Sequence, residues 1–223
     1  MKKMLIIIII LLTILIGMII YKNTLVGAKN NISVKEIEEI QNYISKIYMW
    51  KEVTIEALPE FEDVNQVDEL WIWEVVKKNL EEYEITKEKI EAKAKEILGE
   101  NFKKSFPEEG NKSFEYDDTL NKYVATETIL DEKEDTFLLN NIIKTKEGYQ
   151  VEIIEYLEDY SEDNKVIIKN FNEEELGRVN TNESETKIKE IVKNNKERFN
   201  KKKIYLKIQN NDLVVQKVEK GQE

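Results

Sequence analysis

The fold is decided by the stretch between residues 136 and 157, which reads TFLLNNIIKTKEGYQVEIIEYL. Two apolar runs, 136–145 and 149–157, flank the short polar segment Lys146-Glu147-Gly148. Apolar runs rich in β-branched and aromatic residues, separated by such a segment, predict a β-hairpin. A connection this short can join only antiparallel strands. The centre of the chain is therefore expected to form an antiparallel sheet.

The sequence before this hairpin has a helical period. Ser33-Val34-Lys35-Glu36 matches a capping box, in which the serine oxygen and the glutamate carboxylate each accept from a free backbone amide. Apolar residues then recur every three or four positions, which predicts a helix to about Trp50. Two further helices are predicted, one from caps at Asn65 and Asp68 to about residue 83, and one from 86 to a stop at 99.

The rest of the chain mixes strands with one more helix. Short strands are predicted at 114–116, 123–125 and 165–171, a helix at 182–199, and a closing hairpin at 203–208 and 213–218. This order predicts an α+β fold, with an N-terminal transmembrane helix followed by helices packed on a curved antiparallel sheet. We expect one domain over 33–218 and a frayed tail at 219–223. A polar stretch at 161–182 could act as a hinge.

The N-terminal 22 residues have the pattern of a membrane anchor. Lys2 and Lys3 precede the apolar run Met4–Ile20, whose 17 residues reach about 25 Å as a helix. Lysines before such a run stay on the cytoplasmic side, so residues 23–32 would form a spacer and the domain would lie outside the cell membrane. Alternatively, cleavage after Ala28 would release a secreted protein. We favour the anchor because the run is longer than the apolar region of a signal peptide, which has roughly 7–15 residues.

Charge and composition exclude several classes of function. The chain has 34 basic and 45 acidic residues and a formal charge of −11. Three lysines and no acidic residue precede Lys29, so the expected exported part has 31 basic and 45 acidic residues, or −14. This charge argues against nucleic acid as a partner. Because the chain has no His or Cys, it can contain no imidazole base, thiol nucleophile or typical zinc site.

Two groups of residues are candidates for an interaction surface. Trp71 and Trp73 are two positions apart on a predicted helix and point about 200° from each other. One of them could therefore form an exposed aromatic patch with Trp50, unless the helix is covered on both sides. The second group lies in the basic stretch 187–203, which has eight basic and two acidic residues and could contact anionic lipid or wall polymer. Its members are Lys193, Lys196, Lys201 and Lys202. The simpler alternative is a solvated helix face.

Two acidic runs are candidate cation sites. The run 159–163 places oxygen ligands at alternate positions, as a calcium loop does. However, Asn164 and Asn170 occupy the positions where that loop needs glycine and a bidentate glutamate. The run 131–135 is most simply a solvated turn. A weak divalent-cation site at either run is left open, and no cofactor is expected.

The chain resembles small exported, membrane-anchored proteins of low-GC Gram-positive bacteria. The resemblance rests on the Ile-rich anchor and on the stretches Leu70-Trp71-Ile72-Trp73-Glu74 and Glu155-Tyr156-Leu157-Glu158-Asp159-Tyr160. The order of elements is similar to that of cystatin-like and nuclear-transport-factor-like domains. The expected function is binding of an envelope protein or polymer by an acidic extracytoplasmic domain. The alternative is a carboxylate-dependent glycan hydrolase, although no catalytic motif is present and an enzyme is not expected.

Overall fold

The computed structural model describes residues 32–51, 54–127, 133–183 and 185–221. These residues form an α+β fold in which four α-helices pack with two antiparallel sheets. No helix within them is long and apolar enough to span a bilayer. The expected anchor at 1–22 and nearly all of the spacer at 23–32 lie outside the described residues.

The helices are α1 (Val34–Ile47), α2 (Glu69–Lys78), α3 (Lys87–Leu98) and α4 (Glu185–Asn194). Short 3-10 turns occur at Val64–Gln66 and Lys196–Arg198. The strands are β1 (Glu84–Ile85), β2 (Gly110–Asn111), β3 (Phe114–Asp117), β4 (Lys122–Ala125), β5 (Lys133–Lys144), β6 (Gly148–Asp159), β7 (Lys165–Lys169), β8 (Glu175–Asn180), β9 (Asn200–Gln209) and β10 (Asp212–Lys220).

Strand β6 is the centre of the larger sheet. Along one edge it pairs with β5 over its whole length. Along the other edge it pairs first with β9, over Gly148–Glu155, and then with β7, over Leu157–Asp159. Strand β10 pairs with β9, and β8 pairs with β7. The smaller sheet has the order β1-β4-β3-β2.

Both faces of the larger sheet are covered, but by different elements. Successive side chains of a strand point to opposite faces. Val151 and Ile153 of β6 point to the inner face, which packs against α1, α2, α3 and the smaller sheet. Ile154 and Tyr156 point to the outer face, which packs against α4. Burial on both faces explains why the sequence of β6 is apolar with little alternation.

The start of α1 and the end of α3 lie where the local sequence predicts them. The predicted capping box at α1 is confirmed, since Ser33 N donates to Glu36 Oε2 at 2.7 Å and Glu36 N donates to Ser33 Oγ at 3.2 Å. Helix α3 ends at Gly99, as predicted, where φ is +92°. A residue with a Cβ would be strained in that backbone conformation.

Aromatic rings fill the space between α2 and the smaller sheet. Phe106 lies at the centre of this group, with its ring 4.9 Å from Trp73, 5.3 Å from Phe114 and 4.8 Å from Tyr123. All three contacts are edge-to-face, which is a favoured geometry for aromatic pairs. On another side of α2, Trp71 packs against Phe61. Helix α2 is therefore enclosed within the core.

The second half of the chain differs from expectation at three places. The fourth helix ends at Asn194 instead of 199, and β9 begins at Asn200, so the final lysines of the basic stretch lie on a strand. The polar stretch 161–182 contains β7 and β8, which pair with each other. Strand β10 extends into the expected tail, to Lys220, and Gly221 N donates to Lys201 O at 2.8 Å.

The central position of Phe106 gives a stability prediction. Phe106→Ala should lower the free energy of unfolding by about 3–5 kcal/mol, because it removes a buried ring and leaves a cavity. Tyr83→Ala, at a side chain that is 73% exposed, should change it by less than about 0.5 kcal/mol. Urea titration of the full chain in detergent micelles measures both values. Similar losses for the two variants would contradict the described core.

Candidate functional site

The candidate site lies where β6 extends beyond the helices on the inner face. The alternation of β6 that places Val151 and Ile153 under the helices continues through Glu155, Leu157 and Asp159. Leu157 forms part of a groove of about 250 Å³, which we call the β6 groove. It is lined by Lys51, Lys133, Asp135, Leu157, Phe171 and Glu173.

A buried group of charged residues adjoins the β6 groove. Glu155 of β6 is 2% exposed, and Lys202 of β9 is 8% exposed. Lys202 Nζ donates to Glu60 Oε1 at 2.9 Å and to Glu56 Oε2 at 3.2 Å. The Tyr48 hydroxyl lies beside Glu155 and donates to Thr136 O at 3.2 Å. We refer to Glu155, Lys202, Glu56, Glu60 and Tyr48 as the Glu155 cluster.

The environment of Glu155 changes its titration. Burial raises the pKa of Glu155 to about 7, and the attraction of Lys202, the hydrogen bond with Tyr48 and the attraction of Lys51 only partly oppose this increase. Burial also raises the pKa of Tyr48 well above its ordinary value, and the negative charge of Glu155 adds to this effect. Desolvation penalises the charged form of an acid, so Glu155 holds a proton more readily than an exposed glutamate.

The walls of the β6 groove come from three segments of the chain. Lys51, just after α1, places Nζ 4.1 Å from the centre of the Phe171 ring, and its backbone N donates to Asp135 Oδ2 at 2.5 Å. Lys133, at the start of β5, forms an ion pair with Glu173 at 3.0 Å. The groove therefore has an apolar floor with an aromatic ring, and amines and carboxylates at its rim.

Acidic residues of the run 159–163 form ion pairs with lysine and arginine side chains of the same domain. Asp159 Oδ2 accepts from Lys169 Nζ at 2.6 Å. Burial opposes ionisation of Asp159, but the hydrogen bonds from Lys169 and Ser161 lower its pKa to about 2. Glu162 forms ion pairs with Lys165 and Arg178. Among the described residues there is no group of three or more acidic ligands that could hold a metal ion. Residues 131 and 132 of the other acidic run lie outside the described residues.

The expected aromatic surface patch is not formed by Trp71 and Trp73. Trp71 is 1% exposed and Trp73 is fully buried. The reason is the enclosure of α2, which buries side chains that point in opposite directions. Trp50 is only partly buried and has Lys78 Nζ 4.8 Å from its ring centre. The interaction surface suggested by the three tryptophans is therefore reduced to Trp50.

The expected basic surface is also divided. Lys202 belongs to the Glu155 cluster and is buried, so it cannot contact a polymer. Lys201 and Lys196 both form ion pairs with Glu197, at 2.8 Å and 3.8 Å. Lys193 and Lys196 stay on or next to α4 and reach the surface, whereas Lys201 and Lys202 lie on β9. The break between α4 and β9 separates residues that a continuous helix would have kept together.

The Glu155 cluster could not be recognised as a motif in the sequence. Lys202 and Glu56 are 146 positions apart, and Lys202 and Glu60 are 142 apart. The only local signal is Glu155 itself, a charged residue within the apolar run of β6. Such a residue in a strand buried on both faces indicates a buried charge that needs partners.

Comparisons with known proteins were made with protein-family models, curated proteins and solved structures, and none of the three gave a match. The resemblance to anchored proteins of low-GC Gram-positive bacteria, and the similarity in element order to cystatin-like domains, therefore remain predictions.

The raised pKa of Glu155 predicts a pH dependence of stability. Between about pH 4.5 and 7 the folded chain keeps a proton that the unfolded chain has released, so stability should fall as pH rises through this range. Glu155→Gln removes the contribution of Glu155 to this dependence. Its free energy of unfolding should rise relative to wild type by about 2–3 kcal/mol between about pH 5 and 8.

Urea titrations of the full chain in detergent micelles at several pH values test this prediction. Glu147→Gln, in the exposed turn between β5 and β6, is the matched control and should keep the wild-type dependence. Parallel curves for wild type and Glu155→Gln would show that Glu155 is ionised in the folded chain throughout this range.

Proposed function

We propose that the chain is a single-pass membrane protein whose acidic extracytoplasmic domain binds a partner at the cell envelope through the β6 groove. The observation that carries this proposal is the open end of the inner face, where a groove with an aromatic ring and charged rim adjoins the buried Glu155 cluster. Concave sites with a few placed polar groups on a rigid sheet are typical of binding sites.

The position of the groove in the fold supports this proposal. The described chain begins at α1, whose first turn contacts the start of β6, since Tyr149 Oη donates to Glu36 Oε1 at 2.8 Å. The groove lies at the opposite end of β6, near Leu157. A strand of 12 residues is about 40 Å long. The groove and the point where an anchor before α1 would join the domain therefore lie near opposite ends of β6.

The chemistry of the groove defines what it can accept. Its volume of about 250 Å³ fits one side chain or one sugar unit of a larger partner. Leu157 and Phe171 would contact apolar atoms, while the ammonium groups of Lys51 and Lys133 and the carboxylates of Asp135 and Glu173 can exchange their present hydrogen bonds for bonds to a ligand. A peptide segment or a wall glycan carries both kinds of atom.

One observation favours a carboxylate-dependent hydrolase as the second candidate. Glu155 and Asp135 lie on the inner face of adjacent strands, and a glutamate with a pKa of about 7 suits the role of a general acid. Its burial argues against this role, because a side chain that is 2% exposed, beside Lys202, cannot touch a glycosidic oxygen. Binding therefore remains the leading proposal.

The anchor can be tested by N-terminal sequencing of the mature protein. We expect the mature chain to keep residues 1–28 and to stay with the membrane pellet after alkaline carbonate washing, because Met4–Ile20 is long enough to span the bilayer. A mature chain that begins at Lys29 would contradict the anchor and support the secreted alternative.

The groove can be tested by photo-cross-linking in cells. A benzophenone amino acid in place of Phe171 should form adducts with the partner, whereas the same group in place of the exposed Tyr83 should not. A protein partner would give discrete bands, and a glycan would give a smear that muramidase removes. Lys133→Glu replaces the ion pair with Glu173 by a repulsion between two carboxylates. It should reduce the yield of adduct about tenfold, equivalent to ~1.4 kcal/mol of binding free energy. Equal adducts from positions 171 and 83 would contradict the groove as the site.

A further inference from the structure

Three segments meet at the end of the domain opposite the β6 groove. They are residues 33–36 at the start of α1, 143–148 around the β5–β6 turn, and 207–212 around the β9–β10 turn. Lys144 Nζ forms an ion pair with Glu36 Oε1 at 2.6 Å, and Ile208 N donates to Glu147 O at 2.9 Å. We call these three segments the hairpin end.

The charge of the hairpin end differs from that of the domain. The three segments contain four lysines and three acidic residues, which gives a net charge of +1. The lysines are Lys35, Lys144, Lys146 and Lys207, and the acidic residues are Glu36, Glu147 and Asp212. The whole of the expected exported part carries −14. An anionic surface would therefore repel most of the domain but not this end.

The hairpin end also exposes aliphatic side chains. Val34 is 44% exposed, Ile143 is 36% exposed and Ile208 is 46% exposed. The side chain of Lys35, next to Val34 at the start of α1, is 84% exposed and forms an ion pair with Glu39 at 3.4 Å. Aliphatic side chains next to lysines suit the boundary between lipid headgroups and acyl chains.

The hairpin end contains the point where the chain enters the domain, and this restricts its distance from the expected anchor. Residue 33 belongs to the hairpin end, and 12 residues, 21–32, separate it from Ile20 at the end of the expected anchor. A chain of that length spans at most about 40 Å when fully extended. The chain therefore enters the domain at the hairpin end, within about 40 Å of the expected end of the anchor.

We propose that the hairpin end rests on the outer lipid surface, with Val34, Ile143 and Ile208 at headgroup level, so that the β6 groove points away from the membrane. This inference rests on the proposed anchor. It adds a second contact between the protein and the lipid, made by the folded domain itself. This contact fixes the orientation of the domain relative to the lipid surface.

The orientation can be measured with the full chain reconstituted in vesicles of phosphatidylethanolamine and phosphatidylglycerol. Because the chain has no cysteine, single cysteines at Ile143, Ile208 and Glu173 can each be labelled with a small fluorophore without background. Glu173 lines the β6 groove and is the matched control at the other end of β6. Lipids with a nitroxide on the headgroup should quench the labels at Ile143 and Ile208 severalfold more than the label at Glu173.

The outcomes separate the orientation from the anchor. Equal quenching at the three positions, or stronger quenching at Glu173, in a chain that alkaline carbonate does not extract, would overturn the orientation and leave the anchor in place. Extraction by carbonate would contradict the anchor and the orientation together. Circular dichroism spectra that match the unlabelled chain confirm that each labelled variant is folded.

Discussion

Strand β6 forms hydrogen-bonded pairs with two different strands along one edge, and the rest of the structure depends on this division. β9 occupies the first eight positions of that edge and β7 the last three, with Tyr156 between them. Asn170, which follows β7, bridges the change of neighbour, since its side-chain amide donates to Arg198 O at 3.1 Å and its side-chain oxygen accepts from the backbone of Glu174. Without this link, backbone groups where β9 gives way to β7 would lose hydrogen-bond partners.

The division of β6 explains the two layers and the site between them. The helices α1, α2 and α3 cover only the part of the inner face that β9 supports, while α4 covers the outer face near β7. Beyond the helices, the inner face of β6 continues with Glu155, Leu157 and Asp159, which meet charged residues from loops and neighbouring strands. Charged residues can lie there because lysines from β7 and β9 reach them.

Local signals predicted much of the fold. The capping box at Ser33, the glycine stop of α3 and both central and terminal hairpins depend on residues close together in the chain, and the structure confirms them. The sequence did not reveal β8, because its alternation of Leu176 and Val179 with polar residues is weak. It also did not show that the basic stretch breaks at 195–199, where the 3-10 turn leads into β9.

The site was harder to predict for a different reason. The partners of Lys202 come from a loop more than 140 positions earlier, so only the tertiary fold brings them together. The burial of Trp73 has a similar cause, because Phe106, which packs against it, lies in the loop after α3. A helical pattern specifies which side chains share a face, but not how many faces are covered.

The geometry of β6 has a mechanical consequence. The chain enters the domain beside the first residues of β6, and the groove lies beside its last residues. A pull between the proposed anchor and a partner in the proposed groove would therefore act parallel to β6, β5 and β9. Because the hydrogen bonds of an antiparallel ladder lie perpendicular to the strands, such a force loads many of them together in shear instead of opening them one by one. A chain without disulfides would in this way resist tension through its backbone ladder.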